Sequence, residues 1–184
     1  MKKLNTIFFI FLMTVSCAQE KESIKYANSI TINDLKDLLS IYSSDDFEGR
    51  QTGTKGDRTA ANFLREFYIN NQIEPALNTI DYFQPYQLNL PGEMYTRNYT
   101  FPEKLRAYNR YAEGVNFVDT QNVASIIKGE IYPDSYLIIT GHLDHVGIDG
   151  DEVYNGADDN GSGTVSILEI AQAFQEAVED GVRP

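Results

Sequence analysis

The sequence predicts an α/β domain of three layers, α/β/α, built around a central mixed sheet. Three observations carry this expectation. Two amphipathic helical patterns open the folded part of the chain. A continuous apolar run, Tyr136-Leu-Ile-Ile-Thr140, lies between turn residues, the pattern of a strand buried on both faces. A long helical pattern then begins near Ser162. Helices come first, and strands then alternate with helices.

The N-terminus reads as an export signal. Lys2 and Lys3 precede an apolar stretch, Ile7 to Val15, that is too short to span a bilayer. Thr14-Val15-Ser16-Cys17 resembles a bacterial lipoprotein box, in which Cys17 would be lipidated and become the mature N-terminus. It departs from such boxes at Thr14, where Leu is usual. The alternative is ordinary cleavage after Ser16-Cys17-Ala18. The lipoprotein reading is preferred because the only cysteine of the chain sits at that spot. Residues 1–16 are then a signal peptide, 17–28 a tether and 29–184 the folded domain. The expected location is the cell envelope, periplasmic or on the outer-membrane surface, with the membrane touched only through a lipid anchor.

Composition narrows the partners. The formal charge is −12, and loss of Lys2 and Lys3 takes it to −14. An acidic surface disfavours nucleic acid and anionic membranes. It suits a metal-binding cleft and simple solubility equally. One cysteine permits no internal disulfide, so the fold rests on its hydrophobic core. The ~165 residues after the signal suffice for one domain, without repeats or low-complexity linkers.

In chain order, Thr31-Ile-Asn-Asp34 is an N-cap with an acidic N3 residue, and Ile32, Leu35, Leu38, Leu39 and Tyr42 extend a helix to about residue 42. A polar, Gly-bearing loop runs from Ser43 to Lys55. Asp57 to about Asn70 is a second helix with Ala60, Phe63, Leu64 and Phe67 on one face. Tyr82, Tyr86, Leu88 and Leu90 alternate as a half-buried strand, and Pro85 makes it an edge candidate. Residues 91–120 are irregular, with a short helix around Glu103 to Tyr108. Asn122 to Lys128 is a strand, and Gly129 to Asp134 turns. After the apolar run, Ile167, Ile170, Ala171, Phe174, Ala177 and Val178 mark the last helix, from about Ser162 to Glu179.

The chemistry is concentrated at residues 141–163. Both histidines, His142 and His145, lie there beside many carboxylates. If strand geometry persists past Thr140, His142 and Asp144 share one face, while Leu143 and His145 share the other. His142 is then the candidate ligand. Asp144 could accept its second ring N–H, which fixes the tautomer and raises the basicity of the nitrogen facing a metal. His-x-Asp alone also describes a surface histidine near an acid. The second feature is Asn155-Gly-Ala-Asp-Asp-Asn-Gly-Ser-Gly163, a loop with two adjacent acids leading into a helix. EF-hand spacing is missing, and so is the GxxxxGK[ST] pattern of a phosphate loop.

Taken together, Gly141-His-Leu-Asp-His-Val-Gly147 and Asn155 to Gly163 strongly resemble the co-catalytic zinc aminopeptidases, relatives of glutamate carboxypeptidase and the transferrin receptor. His142 and Asp158 stand 16 residues apart. Leu39 to Pro75, with Ser44-Asp-Asp-Phe-Glu-Gly-Arg50 and Gly53-Thr-Lys-Gly56, and Gln121-Asn-Val123 extend the likeness, whereas residues 91–120 do not match clearly. The resemblance implies a zinc-exopeptidase-like fold and two zinc ions. It makes His142 a ligand of one zinc, Asp158 the bridge between two, and Asp144 the catalytic-site carboxylate that orients His142. It also implies a cis Asp158–Asp159 bond. In the family a glutamate activates the bridging water, and the metals polarise the peptide carbonyl.

The family's Glu-Glu pair, further acidic ligand and distal histidine have no counterpart here. After Gly163 the acids are Glu169, Glu176, Glu179 and Asp180. The expectation is therefore the N-terminal portion of an exported aminopeptidase acting on peptides, with its C-terminal part missing and the chain inactive alone. Two other readings stay open: a glutaminyl-peptide cyclotransferase, and a non-catalytic surface lipoprotein that keeps the peptidase fold.

Overall fold

The computed structural model describes residues 22–89 and 117–182. The expected signal cleavage site, Cys17, most of residues 91–120 and the short helix at Glu103 to Tyr108 lie outside the described residues.

The helices form where local chemistry places them. Residues 22–27 (α1) are helical, within the segment read as a tether. In α2, Ile32–Tyr42, the Thr31 hydroxyl accepts the Asp34 N–H at 3.2 Å, so the expected N-cap is formed. An irregular helical turn, Asp45–Arg50, interrupts the polar loop. α3, Lys55–Asn70, starts two residues before the expected Asp57, capped by Thr54. α4 spans Ser162–Glu179. It stops at Gly181, whose φ of 82° lets the Val182 N–H reach the Ala177 carbonyl (2.8 Å) and the Gly181 N–H reach that of Val178 (3.0 Å).

The strands make three separate antiparallel pairs: β1 (Glu74–Pro75) with β4 (Ser125–Ile126), β2 (Phe83–Asn89) with β3 (Phe117–Val123), and β5 (Gly147–Asp149) with β6 (Glu152–Tyr154). Helices with small antiparallel sheets are compatible with an α/β class. The expected central mixed sheet and its three layers are not formed among the described residues. The largest difference falls on Tyr136 to Thr140, which is not a strand. Leu137 and Ile138 are 82% and 77% exposed, so the run is not buried on either face. The physical reason is that a strand exists only through a neighbour's N–H and C=O groups. The expected strand at Asn122 to Lys128 is displaced towards the N-terminus, because β3 pairs with β2 from Phe117 onward.

One core holds α2, α3 and α4 together: Tyr42, Phe47, Ala60, Leu64, Tyr68, Ile73, Tyr82, Val165 and Leu168. The expected α3 face is the observed one. For α4 the buried face is Val165, Leu168, Ala173 and Ala177, while Phe174 is 42% exposed. This helix is apolar on two sides. The side that meets α2 and α1 is covered, Tyr26 of α1 packing with Ala173 and Ala177. Among the described residues no helix is long and apolar enough to cross a membrane.

Glu169 of α4 is buried, and burial with the nearby acids Asp34 and Glu176 pushes its carboxyl above the usual range. A raised folded-state pKa means that ionisation disfavours the fold. That penalty is absent below the unfolded pKa and fully present above the folded one. Glu169→Gln should therefore raise the melting temperature at pH 7, and the gain should vanish as the pH falls through the acidic range. Thermal melts across pH check this; an unchanged or lower melting temperature at pH 7 would contradict it.

Candidate metal centre

Two loops carry the chemistry, residues 141–146 and 155–161, and the hairpin β5–β6 lies between them. Its register pairs Gly147 with Tyr154, so the two loops leave the hairpin side by side. The turn is Gly150-Asp151, with Gly150 at φ 59°. Asp149-Gly150 is a hairpin signal in the sequence.

Arg50 fixes the loops. Its side chain is fully buried. The guanidinium donates to the Leu143 carbonyl (Nε, 2.9 Å), to those of Tyr42 and Asn155 (Nη1, 3.0 and 2.7 Å) and to that of Gly156 (Nη2, 3.0 Å). It also lies over the Tyr42 ring, 4.5 Å from the centroid. The Arg50 carbonyl accepts the His145 N–H at 3.1 Å. Burial pulls the guanidinium pKa down, against the pull of Tyr42, Asp144 and Asp159. Gly49 allows this approach. A Cβ there would stand 2.5 Å from the Gly147 carbonyl oxygen and 2.6 Å from that of Tyr154.

His142 is half-exposed. Its Nδ1 lies 2.9 Å from the Asp144 carbonyl oxygen and 3.5 Å from Asp144 Oδ1. Its Nε2 lies 3.0 Å from Asp159 Oδ1. The His142 carbonyl accepts from Thr164 at 3.1 Å, which ties this loop to the first turn of α4. Asp144 Oδ2 accepts from the Thr52 hydroxyl at 2.9 Å. His145 is mostly covered, with Nδ1 3.8 Å from Asp159 Oδ2, and burial lowers its pKa. Gly156 makes room for it, because a Cβ at Gly156 would meet the His145 ring at 2.4 Å.

The structure thus brings together His142, Asp144, His145 and Asp159. Asp158, the expected bridging ligand, is not brought to either histidine. It sits one residue away in the π-helical turn Ala157–Gly161, and its described contact is its carbonyl, which accepts from Ser162 at 3.4 Å. The cis peptide bond is Asp159–Asn160, not the expected Asp158–Asp159. The parity argument that set His145 aside assumed a strand, and residues 141–146 are not one.

The donor set fits part of a zinc site. Two ligands about 2.0–2.1 Å from a tetrahedral zinc stand about 3.3 Å apart, close to the 3.0 Å between His142 Nε2 and Asp159 Oδ1. Among the described residues no three His, Cys, Asp or Glu side chains form a group that could hold a metal ion. Residues 122–183 match the model of peptidase family M28, a partial domain consistent with the co-catalytic zinc aminopeptidases. Peptidases of that family are typically zinc-dependent, and the match supports a metallopeptidase at the family level. No curated protein and no solved structure gives a significant match.

Arg50→Met would leave carbonyls of Tyr42, Leu143, Asn155 and Gly156 without their donor. Each unsatisfied buried group costs about 1–3 kcal/mol, so urea unfolding should show a loss above about 3 kcal/mol. Arg50→Lys, lacking the planar fork, should fall between that variant and the parent. A loss below about 1 kcal/mol for Arg50→Met would show that Arg50 does not organise the loops.

Proposed function

We propose that this chain is the N-terminal portion of an exported zinc exopeptidase of the aminopeptidase type, with His142 and Asp159 as two of its zinc ligands. The observation that carries this is the facing of His142 Nε2 and Asp159 Oδ1 at 3.0 Å, with His142 Nδ1 turned to Asp144. The sequence expectation gave the bridging role to Asp158; the geometry favours its neighbour. The family match over residues 122–183 supports the peptidase class.

Asp144 acts on the imidazole. An Nδ1–H donated to the Asp144 carbonyl leaves the Nε2 lone pair free for a metal, and the nearby carboxylate makes that nitrogen more basic. The Asp159 carboxylate has both oxygens facing histidines, which suits a bridging role between two ions. Zinc, when bound, supplies a Lewis acid for the peptide carbonyl and a water of lowered pKa. His142 and Asp159 are fewer than the three protein ligands usual for catalytic zinc. Further donors, and a general base, must come from outside the described residues. The residue preference of the peptidase lies with those same missing elements.

Zinc titration monitored by calorimetry tests the ligand assignment. His142→Ala and Asp159→Asn should each weaken zinc binding more than about tenfold, and Asp158→Asn should leave it near the parent value. Equal loss in Asp158→Asn would return the bridging role to Asp158. The 184-residue chain alone should release no amino acid from peptides, whereas a form with the complete ligand set should release N-terminal residues when zinc is supplied. Release of ammonia from N-terminal glutamine peptides instead would indicate a cyclotransferase.

We propose also that Cys17 is lipidated after signal cleavage and anchors the protein to the cell envelope. In the native host, Cys17→Ser should move the protein from the membrane fraction to the soluble fraction. Retention in the membrane would exclude the anchor.

A further inference from the structure

The loop joining the Asp45–Arg50 turn to α3 touches the metal centre through one side chain. Thr52 donates its hydroxyl to Asp144 Oδ2 at 2.9 Å. Asp144 in turn receives His142 Nδ1 on its carbonyl, with its Oδ1 3.5 Å from the same nitrogen. A line of contacts therefore runs Thr52, Asp144, His142, Asp159.

The start of that line is held firmly. The residue after Thr52 has both backbone groups engaged: the Gly53 N–H donates to Asp57 Oδ2 (2.8 Å) and its carbonyl accepts from Arg58 Nη1 (3.1 Å). Asp57 is buried, and the same Oδ2 accepts from the Thr120 hydroxyl of β3 at 2.8 Å. Val118 of β3 closes on Gly53, where an added Cβ would meet the valine Cβ at 2.6 Å. On the other side, the Thr54 N–H and hydroxyl both return to the Gln51 carbonyl, at 3.0 and 2.5 Å.

The far end of the line is open. The His142 and Asp144 side chains are each 51% exposed. Water competes there for every polar contact, so their mutual orientation needs an anchor. A neutral imidazole has two tautomers, and the partner of one nitrogen decides which of them carries the proton.

We propose that Thr52 is a positioning residue: by holding Asp144 it keeps the His142 proton on Nδ1 and the Nε2 lone pair directed at Asp159. The assignment rests on the metal-centre reading only for its purpose. The contact and its effect on the tautomer exist without metal.

The test uses metal-free, nitrogen-15-labelled protein of the full chain at a pH where the ring is neutral. Long-range proton–nitrogen correlation spectra read the tautomer of each histidine. Wild type should show His142 as the Nδ1–H form. Thr52→Val should change the ratio of tautomers at least about threefold towards Nε2–H, with the His145 signals unmoved, and Thr52→Ser should restore the wild-type pattern. A purely structural role would lower the melting temperature without moving the tautomer. An Nε2–H form in wild type, an unchanged ratio in Thr52→Val, or a failure of Thr52→Ser to restore the pattern would each overturn the proposal. Zinc titration of the same samples separates the two ideas: no zinc binding with the expected tautomers would sink the metal-centre reading alone.

Discussion

A buried cation with no carboxylate in hydrogen-bonding contact is the constraint on which this structure depends. Arg50 satisfies its guanidinium on backbone carbonyls drawn from α2, the 141–146 loop and the 155–161 loop. Burial of such a charge is costly unless its donors are met, so the segments that supply the acceptors have little freedom to move. The turn that presents Arg50 pays in backbone strain. Glu48, Gly49 and Arg50 all have left-handed φ, at 50°, 62° and 51°. L-residues resist that region by about 1–2 kcal/mol each. The arginine contacts and the packing of the glycine onto the hairpin hold the conformation in place.

What could be read in the sequence was what is decided locally. The Thr31 cap and the apolar faces of α2 and α3 are fixed by residues within a few positions of one another, and they were found where expected. The Gly181 stop belongs to the same class. The run at Tyr136 to Thr140 was misread because strand formation is settled by a neighbour rather than by the run itself. Its apolar character says that it suits burial, not that anything among the described residues covers it. The α4 face was ambiguous for a related reason, since a helix apolar on two sides buries the one for which a partner is present.

The candidate site was legible as a stretch and not as a geometry. His142 and Asp144 were found by spacing, and their contact is made, though through the Asp144 carbonyl at closer range than its carboxylate. The choice between Asp158 and Asp159 could not come from composition, because adjacent acids in a Gly-rich loop are equivalent until the backbone turns. Asp159 has φ −119° and ψ 89° inside an otherwise helical turn, and that departure aims its carboxylate at His142. Arg50, Thr52 and Asp57 escaped notice in a loop described only as polar. Their roles depend on residues many positions away. The sole local hint was a lone arginine following glycine in an acid-rich stretch.

The separation between Arg50 and its acceptors has a kinetic side. The bonds to Leu143, Asn155 and Gly156 span 93, 105 and 106 positions of chain. Contacts of such range form slowly, since the entropy of closing the intervening loop is lost before they contribute anything. The helices, with their local caps, are free to appear early. The arrangement of the two site loops must wait for the ends of that long loop to meet. A metal ion would then arrive after the loops are set, and would slow unfolding more than it hastens folding.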